Sequence, residues 1–116
     1  LFIAENVRGL LTMDNGEAIK TIVRDFAALG YHVVYKLLTA ADFGVPQIRQ
    51  RVIIVGTLKT KLPPFVHPEP TLQKTNWINL KQAIGDLENI AEGSMPNHYW
   101  SKSIKNNGQG NSLVSA

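Results

Sequence analysis

The chain has 116 residues, 44% of them hydrophobic, and its 12 Lys and Arg against 9 Asp and Glu give a formal net charge of +3. That length bounds it to one domain or part of one, and no apolar run reaches the roughly 18–20 residues of a membrane span. With no cysteine it has no disulfide, no thiolate metal site and no thiol nucleophile among these residues, while the small basic excess permits a polyanionic partner without pointing to one.

The sequence opens inside an apolar segment without an initiator Met, so it is expected to be cut from something larger. Leu1 to Ala4 is a short apolar run ending at Glu5 and reads as a buried strand. Asp14 stands three residues before Glu17 in Asp14-Asn15-Gly16-Glu17, the spacing of a capping box. Ile19, Ile22, Val23 and Phe26 then form one apolar stripe at helical spacing, with Gly30 as the C-cap. Tyr31 to Leu38 is rich in β-branched and aromatic residues and predicts a strand. After a loop carrying Gly44 and Pro46, Arg51 to Gly56 (RVIIVG) predicts a second short buried strand. Strand, helix, strand, strand is the order of part of an open α/β sheet.

Beyond residue 58 the periodicity weakens. Pro63, Pro64, Pro68 and Pro70 predict an extended connector, with a short helix from Asn79, as cap, to about Leu87. From Pro96 the chain turns polar: Lys102 and Lys105 face no acidic residue, and Gly108 and Gly110 lie among Asn, Gln and Ser. Composition favours a solvated loop there over a nucleic-acid contact. The reading is therefore an α/β part over 1–58, a connector with a short helix over 59–95 and the start of a further region over 96–116.

Two constellations bear on chemistry. Glu5-Asn6-Val7 ends the first strand, and in open α/β sheets ligands bind beyond the carboxyl ends of the strands. An ordinary polar strand end would look the same. The second is Asp42-Phe43-Gly44-Val45-Pro46-Gln47-Ile48-Arg49-Gln50-Arg51. Arg49 and Arg51 point the same way because strand side chains alternate, and paired guanidinium groups make an anion grip. A solvated edge, or arginines holding the sheet's own carboxylates, are the structural alternatives.

FIAENVRGLL followed by DNGEAIKTIVRDFAALGYHVVYKLLTAADFGVPQIRQRVIIVG resembles the middle of the cytosine-C5 DNA methyltransferase family. The family's ENV motif matches Glu5, Asn6 and Val7; its Q-x-R-x-R motif matches Gln47, Arg49 and Arg51; the helix and strand between them match as well. PPFVHPEPT, LKQAIGDL and Asn97-His98 are similar, more loosely, to the connector that leads to the family's target recognition region.

The resemblance implies part of a Rossmann-like sheet of an S-adenosylmethionine-dependent methyltransferase, acting on a cytosine flipped out of double-stranded DNA. In that family a cysteine attacks C6 of the base, and C5 then takes the methyl group. Glu5 would contact cytosine N3 and the exocyclic amine, which as general-acid work calls for a carboxyl kept protonated in a dry pocket. Asn6 would hold Glu5 and its loop in place, and Arg51 would donate to cytosine O2. Arg49 would hold a DNA phosphate or the nucleophile loop; Gln47 and Arg8 are further DNA-contact candidates. The resemblance implies a bacterial, cytoplasmic enzyme beside the nucleoid, of a restriction-modification system, with neither membrane nor metal as partner.

The family's glycine-rich cofactor loop and its Pro-Cys nucleophile are not in these residues, so the piece alone is expected to be inactive, with most of the S-adenosylmethionine site elsewhere. A bare sheet edge leaves self-association open. A transfer-RNA methyltransferase of the same family and a non-catalytic nucleic-acid-binding module are the alternative readings.

Overall fold

The computed structural model describes residues 1–88. They fall into a compact unit, Leu1–Ala83, and a second, Ile84–Ala116, of which only 84–88 are described. The expected start of a recognition region at 96–116 lies outside the described residues.

The first unit is a three-stranded sheet with one helix. Strand β1 is Phe2–Val7, helix α1 Glu17–Ala28, strand β2 Tyr31–Thr39 and strand β3 Gln50–Leu58. The order is β1-β3-β2, with β3 antiparallel to both neighbours. Strands β1 and β2, joined through α1, therefore run parallel to each other with β3 inserted between them.

The register divides the side chains between two faces. Ala4 pairs with Ile54 and Asn6 with Val52, while Val33 pairs with Gly56 and Leu37 with Val52. Cross-strand partners project to one side, so these residues share a face with Phe2, and α1 covers it. Leu10, Ile19, Val52 and Ile54 form the buried core, flanked by Phe2, Leu11, Ala18, Ile22, Val33 and Leu37. Each fully buried Leu, Ile or Val contributes roughly 1.5–3 kcal/mol against exposure. Leu10 reaches the core because the chain leaves β1 in a single tight turn, Arg8–Leu11. Phe2, Phe26 and Tyr31 close the end of this layer, with ring centroids 4.4 Å apart for Phe2–Phe26 and 5.4 Å for Phe2–Tyr31. Gly56 pairs with Phe2, and a Cβ there would overlap the Phe2 ring. The other face carries Glu5 on β1, Arg51 and Ile53 on β3, and Lys36 and Leu38 on β2.

The helical stripe and both strands of the hairpin occur where the sequence predicts them, with β3 longer than the apolar run alone. Gly30 takes φ 88° just after α1, and its amide donates to the Ala27 carbonyl, as a glycine C-terminal stop requires. The predicted capping box at Asp14 does not form. Asp14 and Asn15 are left-handed, at φ 50° and 56°, Gly16 is the N-cap, and no side chain caps the helix. Asp and Asn tolerate that region better than other L-residues, so this triplet builds a left-handed turn in place of a cap.

Strand β1 was expected to be buried, but only Phe2 is shielded and Ile3 is 66% exposed. Its outer edge pairs with nothing among the described residues, and α1 covers one face only. The predicted helix from Asn79 to about Leu87 is shorter: α2 spans Leu80–Ile84, and a separate turn follows over Gly85–Leu87. Asn79 does cap it. Its Oδ1 accepts from the Gln82 amide at 2.8 Å while Gln82 Oε1 accepts from the Asn79 amide at 3.0 Å, a reciprocal box. No helix among the described residues is long and apolar enough to cross a membrane.

Candidate active site

Glu5 projects from the face opposite α1, near the carboxyl end of β1, and Arg51 from the start of the neighbouring β3. Arg51 Nε donates to Glu5 Oε1 at 2.9 Å. Arg51 Nη1 donates to the Gln50 carbonyl at 2.8 Å, which fixes the plane of the guanidinium. Glu5, Arg49 and Arg51 line one open depression of about 270 Å³, with Leu38, Ala40, Phe43 and Ile53 as its apolar walls. Arg49 and Arg51 line the same cleft, though only Arg51 lies on the strand, so strand alternation does not account for Arg49.

Arg49 immediately precedes β3, and its backbone is held on both sides. Its amide donates to the Gln47 carbonyl at 2.9 Å, and its own carbonyl accepts from the Ala40 amide at 2.9 Å. Its side chain is exposed.

Asn6 projects to the opposite face from Glu5. Its Oδ1 accepts from the Val7 amide at 2.8 Å, bracing the strand end just after Glu5. Arg8 lies beyond it, and its Nη1 donates to Gln50 Oε1 at 3.3 Å, beside Arg51 but outside the cleft. Gln47 is not brought to Glu5. It lines a second, apolar depression of about 210 Å³ with Pro46, Ile48, Trp77 and Ile78.

The Glu5 side chain is 56% exposed and that of Arg51 26%. The dry pocket that a proton-donating carboxyl calls for is therefore not closed by the described residues. A pair this exposed contributes under about 1 kcal/mol to stability, so its effect is to orient the two groups. Among the described residues no three His, Cys, Asp or Glu side chains cluster as a metal site. Sequence reasoning overlooked Gln50 and Trp77. Gln50 stands inside the motif at a position the pattern leaves open, and Trp77 lies in a connector without periodicity.

Glu5 and Arg51 on one sheet face, with Arg49 just before β3, thus line one cleft. The sequence profile of the family described as C-5 cytosine-specific DNA methylase matches residues 1–114. The Type II methyltransferase M.BsuRI of Bacillus subtilis is 44% identical over 91 residues, which cover 75% of this chain and 21% of that protein. M.BspRI of Lysinibacillus sphaericus is 46% identical over 91 residues, 75% of this chain and 22% of the relative. M.NgoFVII of Neisseria gonorrhoeae is 47% identical over 100 residues, 81% of this chain and 27% of the relative. The chain thus spans between about a fifth and just over a quarter of the length of these relatives. On the profile match across nearly its whole length, the chain belongs to the C-5 cytosine-specific DNA methylase family.

Proposed function

We propose that these residues are the base-holding part of a longer DNA cytosine-C5 methyltransferase that modifies duplex DNA in a bacterial restriction-modification system, in the cytoplasm beside the nucleoid. The observation that carries this reading is the Glu5–Arg51 pair, 2.9 Å apart in an open cleft with Arg49. The Type II designation of the relatives supports the modification setting. Neither a transfer-RNA substrate nor a non-catalytic module has comparable support, because the family is described as a DNA methylase and the relatives as methyltransferases.

The chemistry of the cleft suits a flipped cytosine. The Watson–Crick edge of that base presents an amine donor, the N3 acceptor and the O2 acceptor. Glu5 accepts from the amine and, once the base and the rest of the whole protein close the cleft, passes a proton to N3, while Arg51 donates to O2. As electron density is pushed into the ring, the proton at N3 and the donor at O2 both stabilise it. Arg49, exposed at the rim, meets a backbone phosphate. Asn6 keeps the strand end, and with it Glu5, in place.

S-adenosylmethionine, the methyl donor of the family, does not fit the described residues. The larger depression presents two arginines, which suit an anion or a base edge and repel a sulfonium cation; the other is a small apolar slot. The donor's site, like the nucleophile's, is assigned to other parts of the whole protein, and residues 1–116 alone are inactive.

The test is to incubate the whole protein with duplex DNA and a labelled methyl donor and to analyse the hydrolysed bases. Label in 5-methylcytosine supports the reading; label confined to another base, or none, overturns it.

A further inference from the structure

The single turn Ala40–Phe43, between β2 and β3, faces two ways. Ala40 and Phe43 line the cleft of Glu5 and Arg51, while Ala41 is buried at 2% exposure and lines the apolar slot beside Trp77. Asp42 turns toward the connector and bonds to it repeatedly. Its carbonyl accepts from the Thr71 amide at 3.0 Å, the Leu72 amide at 2.9 Å and Thr71 Oγ1 at 3.1 Å. Its carboxylate Oδ1 accepts from Trp77 Nε1 at 2.9 Å in a half-buried setting.

The same turn is tied to the arginine loop. The Ala40 amide donates to the Arg49 carbonyl at 2.9 Å, and the Val45 amide donates to the Ala40 carbonyl at 3.2 Å. Trp77 is thus tied by one hydrogen bond to Asp42, and two residues back along the same turn Ala40 is tied by another to Arg49. The connector needs such an anchor: its four prolines donate no backbone hydrogen bond, and it adds no strand to the sheet. A bond from an indole N–H to a carboxylate is shorter and stronger than one to a neutral acceptor.

We infer that Asp42 and Trp77 are positioning residues for the base-holding cleft: their bond locks the connector to the 40–49 turn and loop and so sets where Arg49 and Arg51 stand during the reaction. The inference rests on the proposed function for its catalytic consequence, and on these hydrogen bonds for its structural one.

The test uses the whole protein with Trp77→Phe, which keeps a ring in the slot but removes the N–H, together with Asp42→Ala and Asp42→Asn. Trp77→Phe and Asp42→Ala slow single-turnover methylation of target DNA about tenfold, as expected for one charge-assisted hydrogen bond, and leave affinity for random duplex within about twofold. Asp42→Asn retains an acceptor oxygen and restores most of the rate. Amide hydrogen exchange over residues 45–49 quickens about tenfold in the two slow variants. Should Asp42→Ala fail to fold, Trp77→Phe carries the test. Wild-type rate and wild-type exchange in Trp77→Phe overturn the inference, as does a rate loss that only tracks the unfolded fraction. A wild-type protein without methylation overturns the proposed function instead, and the exchange measurement still decides whether the lock exists.

Discussion

Glu5 and Arg51 meet diagonally across the β1–β3 ladder: Glu5 pairs with Ile53, Arg51 pairs with Val7, and Arg51 Nε lies 2.9 Å from Glu5 Oε1. Diagonal neighbours on one sheet face are within reach of long side chains, and antiparallel pairing places the carboxyl end of one strand beside the amino end of the other. A carboxylate from one motif and a guanidinium from the other are thereby held side by side on the sheet.

Glu5→Gln in the whole protein keeps the size and polarity of the side chain but removes the proton it would deliver. Methyl transfer falls by roughly 10²–10⁴-fold, the usual range for loss of a general acid, while DNA affinity stays within a few-fold. Single-turnover rates and a gel-shift titration on the same preparation check this; near-normal turnover would show that Glu5 has no proton-transfer role.

Arg51→Ala removes the donor proposed for the flipped base. Binding to DNA in which the target cytosine is already unpaired weakens by roughly 1–3 kcal/mol, and binding to random duplex weakens less. Equal losses on the two DNAs would make Arg51 a general phosphate contact. Arg51→Lys does not restore function, because an ammonium cannot hold Glu5, the Gln50 carbonyl and the base in one plane.

Arg49→Ala behaves differently. As a phosphate contact it weakens binding about uniformly across DNA sequences and lowers the slope of log affinity against log salt by about one unit. Titrations at three or more salt concentrations measure the slope. An unchanged slope is the contrary result.

Gly56→Val probes the fold without touching the cleft. A Cβ at Gly56 overlaps the Phe2 ring, so the β1–β3 pair and the Phe2–Phe26–Tyr31 cluster must shift. Overpacking of this kind costs about 1–3 kcal/mol, read as a lower denaturant midpoint of the whole protein. Phe2→Ala in the same background relieves the clash, and the double variant is less destabilised than the sum of the singles.

Much of the local structure is legible in the chain. The stripe of Ile19, Ile22, Val23 and Phe26 becomes α1, the β-branched run from Tyr31 becomes β2, Gly30 ends the helix and Asn79 caps the next one. These succeed because helix periodicity, strand composition and capping depend on neighbours within a few residues. Asp14 misleads for the same reason turned around: its spacing to Glu17 is that of a cap, but two left-handed residues before Gly16 move the helix start beyond its reach.

By itself the sequence determined the two motifs, their chemical types and the family they belong to, since residue identity and spacing along the chain suffice for that. Only the tertiary structure decided that β3 inserts between β1 and β2, that Glu5 therefore meets Arg51 rather than Gln47, and that Asp42 ties Trp77 to the loop bearing Arg49. These contacts join residues 35 to 46 positions apart. They arise from strand order and register, which the burial of one sheet face under α1 selects for the sheet as a whole.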